Sequence, residues 1–293
     1  MKVELAAKAG FCFGVNRAMD FVCREMEEGK TVFTYGPIIH NETVTADLES
    51  RGVRVVHSPQ EAVEIGEGTL IIRSHGVGRA LQEMLGASGM EVKDATCPFV
   101  KKIHHIVQEY SEKGYFVIII GSADHPEVQG ILGWSDPEHT AVISEIEEAV
   151  KLDVSKCDKL CVVAQTTFHH KKFEDLVEII KEKGYYRKGT LEKTRDIVIN
   201  NTICSATRER QDSARDLARH ADAMIVIGGA SSSNTRKLYE ICLEHCPDTY
   251  FIQKKEDLDV SDFSRFGYVG ITAGASTPNK MIEEVQKYVR DEL

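Results

Sequence analysis

The chain alternates short apolar, β-branched runs with polar loops and longer stretches of helical periodicity. Nine runs stand out: TVFTY (31–35), VRVV (53–56) and TLIIR (69–73); YFVIII (115–120), TAVI (140–143) and LCVVA (160–164); AMIVIGG (223–229), TYFI (249–252) and YVGIT (268–272). Runs this short, apolar at successive positions rather than at every second one, suit strands covered on both faces. Strands alternating with helices predict an α/β protein built on parallel sheets. Two helix starts are also legible. SPQE (58–61) and SEIE (144–147) each place Ser at the cap and Glu three residues on, and Pro59 suits a first helical position.

The nine runs fall into three groups of three, so the chain reads as three copies of one α/β unit. The expected units are 1–96, 97–196 and 197–293, the last ending in a C-terminal helix, and YYRKGTLEKTRDIVINN (185–201) reads as a connector to the third. The expected architecture is three similar α/β domains with small parallel-type sheets, arranged with pseudo-threefold symmetry.

That periodicity singles out three of the eight cysteines. Cys12 precedes Thr31 by 19 residues, Cys97 precedes Tyr115 by 18, and Cys204 precedes Asp222 by 18. Each stands just ahead of a helical stretch, where unpaired N–H groups and the helix dipole favour a thiolate. Taken singly, each is an ordinary buried cysteine. Three at matched repeat positions can converge, and three convergent thiolates suit a metal, above all an iron–sulfur cluster. The remaining five read as packing residues: Cys23 within a helix, and the i, i+4 pairs Cys157/Cys161 and Cys242/Cys246.

Composition narrows the setting. At 42% hydrophobic and 28% charged residues, the chain has the make-up of a soluble globular protein. No run approaches the ~18 apolar residues of a membrane helix, and no apolar leader is present. The expectation is therefore a cytoplasmic protein with no membrane partner. A net charge of −10 argues against nucleic acid as a partner.

In parallel sheets, ligands gather beyond the carboxyl ends of the strands. Six loops there carry polar residues: GPIIHN (36–41), SHGV (74–77), GSADHPEVQG (121–130), QTTFHH (165–170), ASSSN (230–234) and AGASTP (273–278). His40, His75 and His125 follow core strands at what look like equivalent ends. Ser232, Ser233 and Asn234 lead into a helix, a place that suits either capping or an anion. Ser276 and the pair Thr166–Thr167 present the same choice. Glu127, two residues from His125, is a carboxyl poised to move protons, although a glutamate in a first helical turn is also a common solvated group.

Together GFCFGVNRA (10–18), HN (40–41), RSHGV (73–77), DATCP (94–98), HPEVQG (125–130), QTT (165–167), TICSATRERQ (202–211), SSSNTRKL (231–238) and ITAGASTP (271–278) resemble the 4-hydroxy-3-methylbut-2-enyl diphosphate reductase family. The resemblance runs in order from Gly10 to Pro278. It implies a [4Fe–4S] cluster held by Cys12, Cys97 and Cys204, with an open fourth iron. It implies diphosphate binding by His40, His75, Ser232, Ser233, Asn234 and Ser276, with His125 assisting that binding or the proton relay. Glu127, with Thr166 or Thr167, is implied as the source of protons. The implied reaction is a two-electron, two-proton dehydroxylation of an allylic diphosphate, giving isopentenyl and dimethylallyl diphosphates at the end of the non-mevalonate pathway. The electrons are implied to come from ferredoxin or flavodoxin, and no G-x-G-x-x-G follows a strand to suggest a nucleotide cofactor. Rival expectations are a quinolinate-synthase-like dehydratase, which would also use three cysteines but needs no diphosphate clamp, an iron–sulfur or zinc redox sensor, against which the six polar strand-end loops speak, and a zinc hydrolase, which would hold colourless metal.

Overall fold

The computed structural model describes residues 2–185 and 196–291. In chain order the strands are β1 (Lys2–Leu5), β2 (Val32–Tyr35), β3 (Arg54–Val56), β4 (Thr69–Ile72), β5 (Glu91–Asp94), β6 (Phe116–Ile120), β7 (Thr140–Ile143), β8 (Lys159–Ala164), β9 (Asp196–Ile199), β10 (Ala223–Ile227), β11 (Thr249–Ile252) and β12 (Tyr268–Ala273). The helices are α1 (Phe13–Glu27), α2 (Glu42–Ser50), α3 (Pro59–Ile65), α4 (Arg79–Gly86), α5 (Pro98–Glu112), α6 (Pro126–Leu132), α7 (Ile146–Lys151), α8 (His170–Tyr185), α9 (Ser205–Ala218), α10 (Ser233–Leu243) and α11 (Asn279–Asp291). Among the described residues, no helix is long and apolar enough to cross a membrane.

All nine expected runs are strands, and they lie in three small sheets. One has the order β11-β10-β12-β1, another the order β7-β6-β8-β9, and β2–β5 make the remaining sheet. The pairs β1·β12, β10·β11, β10·β12, β4·β5, β6·β7, β6·β8 and β8·β9 are all parallel. By packing, the chain divides into two compact units, Met1–Val55 with Ser205–Leu293, and Val56–Cys204.

Each sheet holds one strand more than the hydrophobic runs announce. β1, β5 and β9 are edge strands of mixed polarity, none of whose residues is fully buried. Each leads toward one of the three singled-out cysteines. The segment 185–201, expected as a connector, therefore includes β9, which pairs with β8 from Asp196 to Ile199; residues 186–195 lie outside the described residues.

The absence of period-two alternation in the central strands has a direct cause. Along β6, Ile118 and Ile120 pack into one core with Val162, Ala164 and Phe173. Val117 and Ile119 pack into the opposite core with Ile103, Val107 and Ile131. Along β10, Ile225 and Ile227 face Phe263, Val285 and Val289, while Met224 and Val226 face Leu217 and Leu238. Both faces are apolar, so both sets of alternate residues must be.

The capping signals resolve differently. Ser58 caps α3, its Oγ accepting from the Glu61 N–H at 3.1 Å with Pro59 in the first turn. The cap of α7 is Glu145 rather than Ser144, because the Glu148 carboxylate reaches back to the N–H groups of both Ser144 (2.6 Å) and Glu145 (2.9 Å). Cys161, Cys242 and Cys246 are packing residues, and burial pushes the thiols of Cys161 and Cys242 up to about 12.

Candidate functional site

Counting from the strand ends brings the candidate residues into register. The first strands of the three sheets, β2, β6 and β10, end at residues 35, 120 and 227. Five residues on stand His40, His125 and Ser232; seven residues on stand Glu42, Glu127 and Asn234. The third strands, β4, β8 and β12, end at 72, 164 and 273. Three residues on stand His75, Thr167 and Ser276. His40 and His125 are thus repeat equivalents, whereas His75 belongs to a different set, whose other members are hydroxyl residues.

The cysteines obey the same register through their backbones. Cys12 and Cys97 are the N-caps of α1 and α5, and Cys204 immediately precedes α9. The Cys12 N–H donates to the Ala275 carbonyl at 3.2 Å, the Cys97 N–H to that of Ser74 at 2.9 Å, and the Cys204 N–H to that of Thr166 at 3.1 Å. Ala275, Ser74 and Thr166 each lie two residues beyond their third strand. Every cysteine is therefore tied to the loop carrying the hydroxyl or histidine position of its own sheet. All three are half-buried, each at the start of a long helix.

In the unit Val56–Cys204, the proton-bearing residues are assembled. Proline at the first position starts α6, and His125 caps it by accepting the Glu127 N–H on Nδ1 at 3.1 Å. This leaves the proton of a neutral ring on Nε2. The His75 ring meets the His125 ring edge-on, centroids 5.5 Å apart. Glu127 is 2% exposed. Its two carboxylate oxygens accept from the backbone N–H (2.6 Å) and the hydroxyl (2.7 Å) of Thr166. Burial outweighs these two hydrogen bonds and raises its pKa to about 7. Thr166, not Thr167, is thus the residue that holds Glu127. The Thr167 hydroxyl accepts instead from Gln165 Nε2 at 3.0 Å, and Gln165 Oε1 accepts the Ser122 N–H at 3.1 Å.

In the other unit, the residues expected to bind diphosphate lie together in one donor-rich cluster. Ser232 caps α10 through the Thr235 N–H at 3.2 Å, and Ser233 opens the helix. Asn234 is 4% exposed, and among the described residues neither its Oδ1 nor its Nδ2 has a hydrogen-bond partner. A buried amide left unmatched on both atoms costs on the order of 1–3 kcal/mol per group. The loop bearing His40 approaches the same place: a Cβ on Gly229 would lie 2.6 Å from the His40 carbonyl oxygen. The Ser276 hydroxyl donates to that same carbonyl at 2.8 Å, and Asn41 Nδ2 donates to the Ser276 carbonyl at 2.9 Å. Asn41 and Glu42 are contributors that residue types alone did not single out. Asn41 also caps α2, accepting the Val44 N–H at 3.1 Å; Glu42 accepts the Ser231 hydroxyl at 2.6 Å. Their signal was available in the repeat register, since Glu42 is the counterpart of Glu127.

Comparison with known proteins identifies the family. The chain matches the LytB protein family over residues 3–290. It is 45% identical over 293 residues to the 4-hydroxy-3-methylbut-2-enyl diphosphate reductase of Thermoanaerobacter sp. (strain X514), covering 99% of this chain and 97% of that one. It is 46% identical over 292 residues to the enzyme of the same description from Geobacter sulfurreducens, covering 99% and 98%. Among solved structures, it resembles an (E)-4-hydroxy-3-methyl-but-2-enyl diphosphate reductase described as the terminal enzyme of the non-mevalonate pathway, with a TM-score of 0.70, 38% identity and full coverage of both chains. It also resembles the Plasmodium falciparum reductase, with a TM-score of 0.87 and 28% identity over 99% of this chain and 87% of that one. The match over nearly every residue, with relatives of one description, shows that the chain belongs to the LytB family and is an oxidoreductase.

Proposed function

We propose that this protein carries out the reductive dehydroxylation of 4-hydroxy-3-methylbut-2-enyl diphosphate to isopentenyl and dimethylallyl diphosphates. The observation that carries this reading is the chain of contacts Glu127–Thr166–Cys204. The Thr166 N–H and hydroxyl hold the buried carboxyl, and the Thr166 carbonyl holds the backbone of Cys204. A proton donor with a pKa of about 7 is thereby fixed to the loop of one cysteine ligand.

Membership of the family implies an iron–sulfur cluster. The donor set fits one: three thiols at matched helix starts, each with its backbone N–H already engaged. Cys12, Cys97 and Cys204 would hold it, as a [4Fe–4S] cluster with an open fourth iron. When bound, the cluster supplies low-potential electrons and a Lewis acid for the leaving oxygen.

The protein's own residues supply the rest. Ser232, Ser233, Asn234, Ser276 and His40, together with His75 and His125, are the residues this reading assigns to the diphosphate. Overall, two electrons and two protons break the allylic C–O bond. The hydroxyl leaves as water with one proton, and the hydrocarbon takes the other. Glu127, partly protonated near neutrality and fully so below it, donates toward the leaving hydroxyl, and Thr166 keeps the carboxyl aimed. His125 assists through the N–H on Nε2, and Thr167 completes the polar wall beside Thr166. A ferredoxin or flavodoxin donor, a cytoplasmic address, and three units bounded at 1–96, 97–196 and 197–293 complete this reading.

Anaerobic purification with iron and sulfide analysis, followed by the reductase assay, tests it. The expected result is a brown protein with about four irons and four sulfides per chain that forms both C5 diphosphates under a low-potential donor. Cys97→Ser is expected to lose most of that iron. A colourless protein holding zinc or nothing after anaerobic reconstitution would overturn the reading.

A further inference from the structure

The loop of residues 74–78 carries His75, and the residues around His75 are held from outside the site. The Ser74 carbonyl takes the Cys97 N–H. Gly76 has φ +69°, and a Cβ there would lie 2.7 Å from His104 Cε1 and 2.8 Å from Thr96 Cγ2. The Val77 carbonyl accepts from the Trp134 indole N–H at 2.9 Å. Gly78 meets backbone directly: a Cβ there would lie 2.9 Å from Gly133 Cα, and the next N–H, of Arg79, donates to the Gly133 carbonyl at 3.2 Å. Below the loop, His104 and Trp134 stack nearly flat, centroids 5.2 Å apart at an interplanar angle of 17°.

These supports have a common origin. His104 lies on α5, the helix that Cys97 caps. Trp134 follows α6, the helix that His125 caps. The body of the helix that Cys97 caps and the turn after the helix that His125 caps thus both support the loop that carries His75. His104 is 4% exposed, and among the described residues its Nε2 has no hydrogen-bond partner. Burial pulls its pKa down to about 4, so at neutral pH it is an uncharged flat ring. A buried polar ring with an unmet nitrogen is a poor choice for filling space alone, whereas a five-membered ring allows the close approach of Gly76.

We propose that His104 and Trp134 are positioning residues for His75: their stack, and the indole N–H bond to Val77, fix the backbone on its C-terminal side and so fix where its ring is offered to the diphosphate. This rests on His75 being a diphosphate ligand, as in the preceding section. His104 and Trp134 themselves touch neither substrate nor reacting atoms.

The test uses the anaerobically purified holoenzyme and inorganic diphosphate as the calorimetric probe. Trp134→Phe keeps a ring for the stack and removes only the N–H bond. It should raise both the diphosphate Kd and the substrate KM about fivefold, the worth of one net hydrogen bond, with kcat within about twofold. His104→Ala removes the stack and should raise both by about tenfold or more. If both variants merely lower the unfolding midpoint while Kd and KM keep their wild-type values, the stack is core packing and the proposal fails. Should the wild type neither reduce the substrate nor bind diphosphate, the functional reading fails instead. Positioning is then judged from the crystal structure of Trp134→Phe: a His75 ring displaced from its edge-on contact with His125 supports it, and an unmoved ring overturns it.

Discussion

Glu127 and Asn234 occupy the same place in two repeats, seven residues past the first strand, and both are buried. Their surroundings differ at one matched position. Beside Glu127, the residue two past the third strand is Thr166, which satisfies both carboxylate oxygens. In the sheet that carries Asn234, that residue is Ala275, which has no hydroxyl, and the amide is left unmatched. Glu42, the third counterpart, is exposed, and hydrogen bonds from Ser231 and backbone N–H groups hold its carboxyl below the usual range despite partial burial. One scaffold position thus carries a buried carboxyl with both oxygens engaged, a buried amide unmatched among the described residues, or an exposed anion, according to its neighbours. The repeat supplies location; burial and the partner residue supply chemistry.

The largest effect that would break this contrast is on turnover. Glu127→Gln keeps the shape of the side chain and removes its transferable proton. It should lower kcat by ~10²–10⁴-fold, with substrate Kd and iron content near wild type; near-normal single-turnover rates would remove Glu127 from proton delivery. In the wild type, kcat should fall as pH rises through about 7, where Glu127 ionises, and that limb should be absent from the residual activity of the variant.

Next in size is Asn234→Asp, which gives the third repeat the charge that Glu127 is free to lose. A carboxylate facing a diphosphate should weaken inorganic diphosphate binding by about 100-fold in calorimetry. Binding unchanged in that variant would show that the unmatched amide does not face the ligand.

The smallest effect is on stability, and its sign separates two buried groups of one unit. Glu127 rises from 4.5 to about 7 on folding, so its contribution is fully present below pH 4.5 and is lost as pH climbs to about 7. His104 falls from 6.5 to about 4, so its contribution is present above pH 6.5 and is lost as pH drops to about 4. Each amounts to about 3 kcal/mol across its window, and they oppose each other where the windows overlap. Denaturant titrations should therefore show Glu127→Gln gaining on the wild type as pH rises from 4.5 to 7, and His104→Gln gaining as pH falls from 6.5 to 4. Parallel curves for variant and wild type would mean that these groups are solvated.

Much of this was legible in the chain, for identifiable reasons. The six inner strands, β2, β4, β6, β8, β10 and β12, are covered on both faces and so read as apolar runs, and the edge strands β3, β7 and β11 are still β-branched or aromatic enough to show. β1, β5 and β9 were missed because an edge strand such as EVKD or KVEL carries charge and offers neither a run nor a clean alternation. The cysteine trio was visible through spacing. The choice between Thr166 and Thr167 was not, because adjacent residues leaving a strand point in different directions and only the fold says which faces α6. His104 and Trp134 gave no signal either, since a single aromatic pair in helical surroundings reads as core until the loop it supports is seen.

The pairing of β1 with β12 bears on how the chain is made. The hydrogen-bond partners of Cys97 and Cys204 lie within residues 56–204, so both loops can close while the ribosome is still adding the C-terminal part. Cys12 and its anchor, Ala275, are separated by 263 residues, and β1 joins β12 across a similar span. The Cys12 loop therefore closes by the longest-range contact of the three, with the largest loop-closure cost, whereas the loops of Cys97 and Cys204 close over 23 and 38 residues.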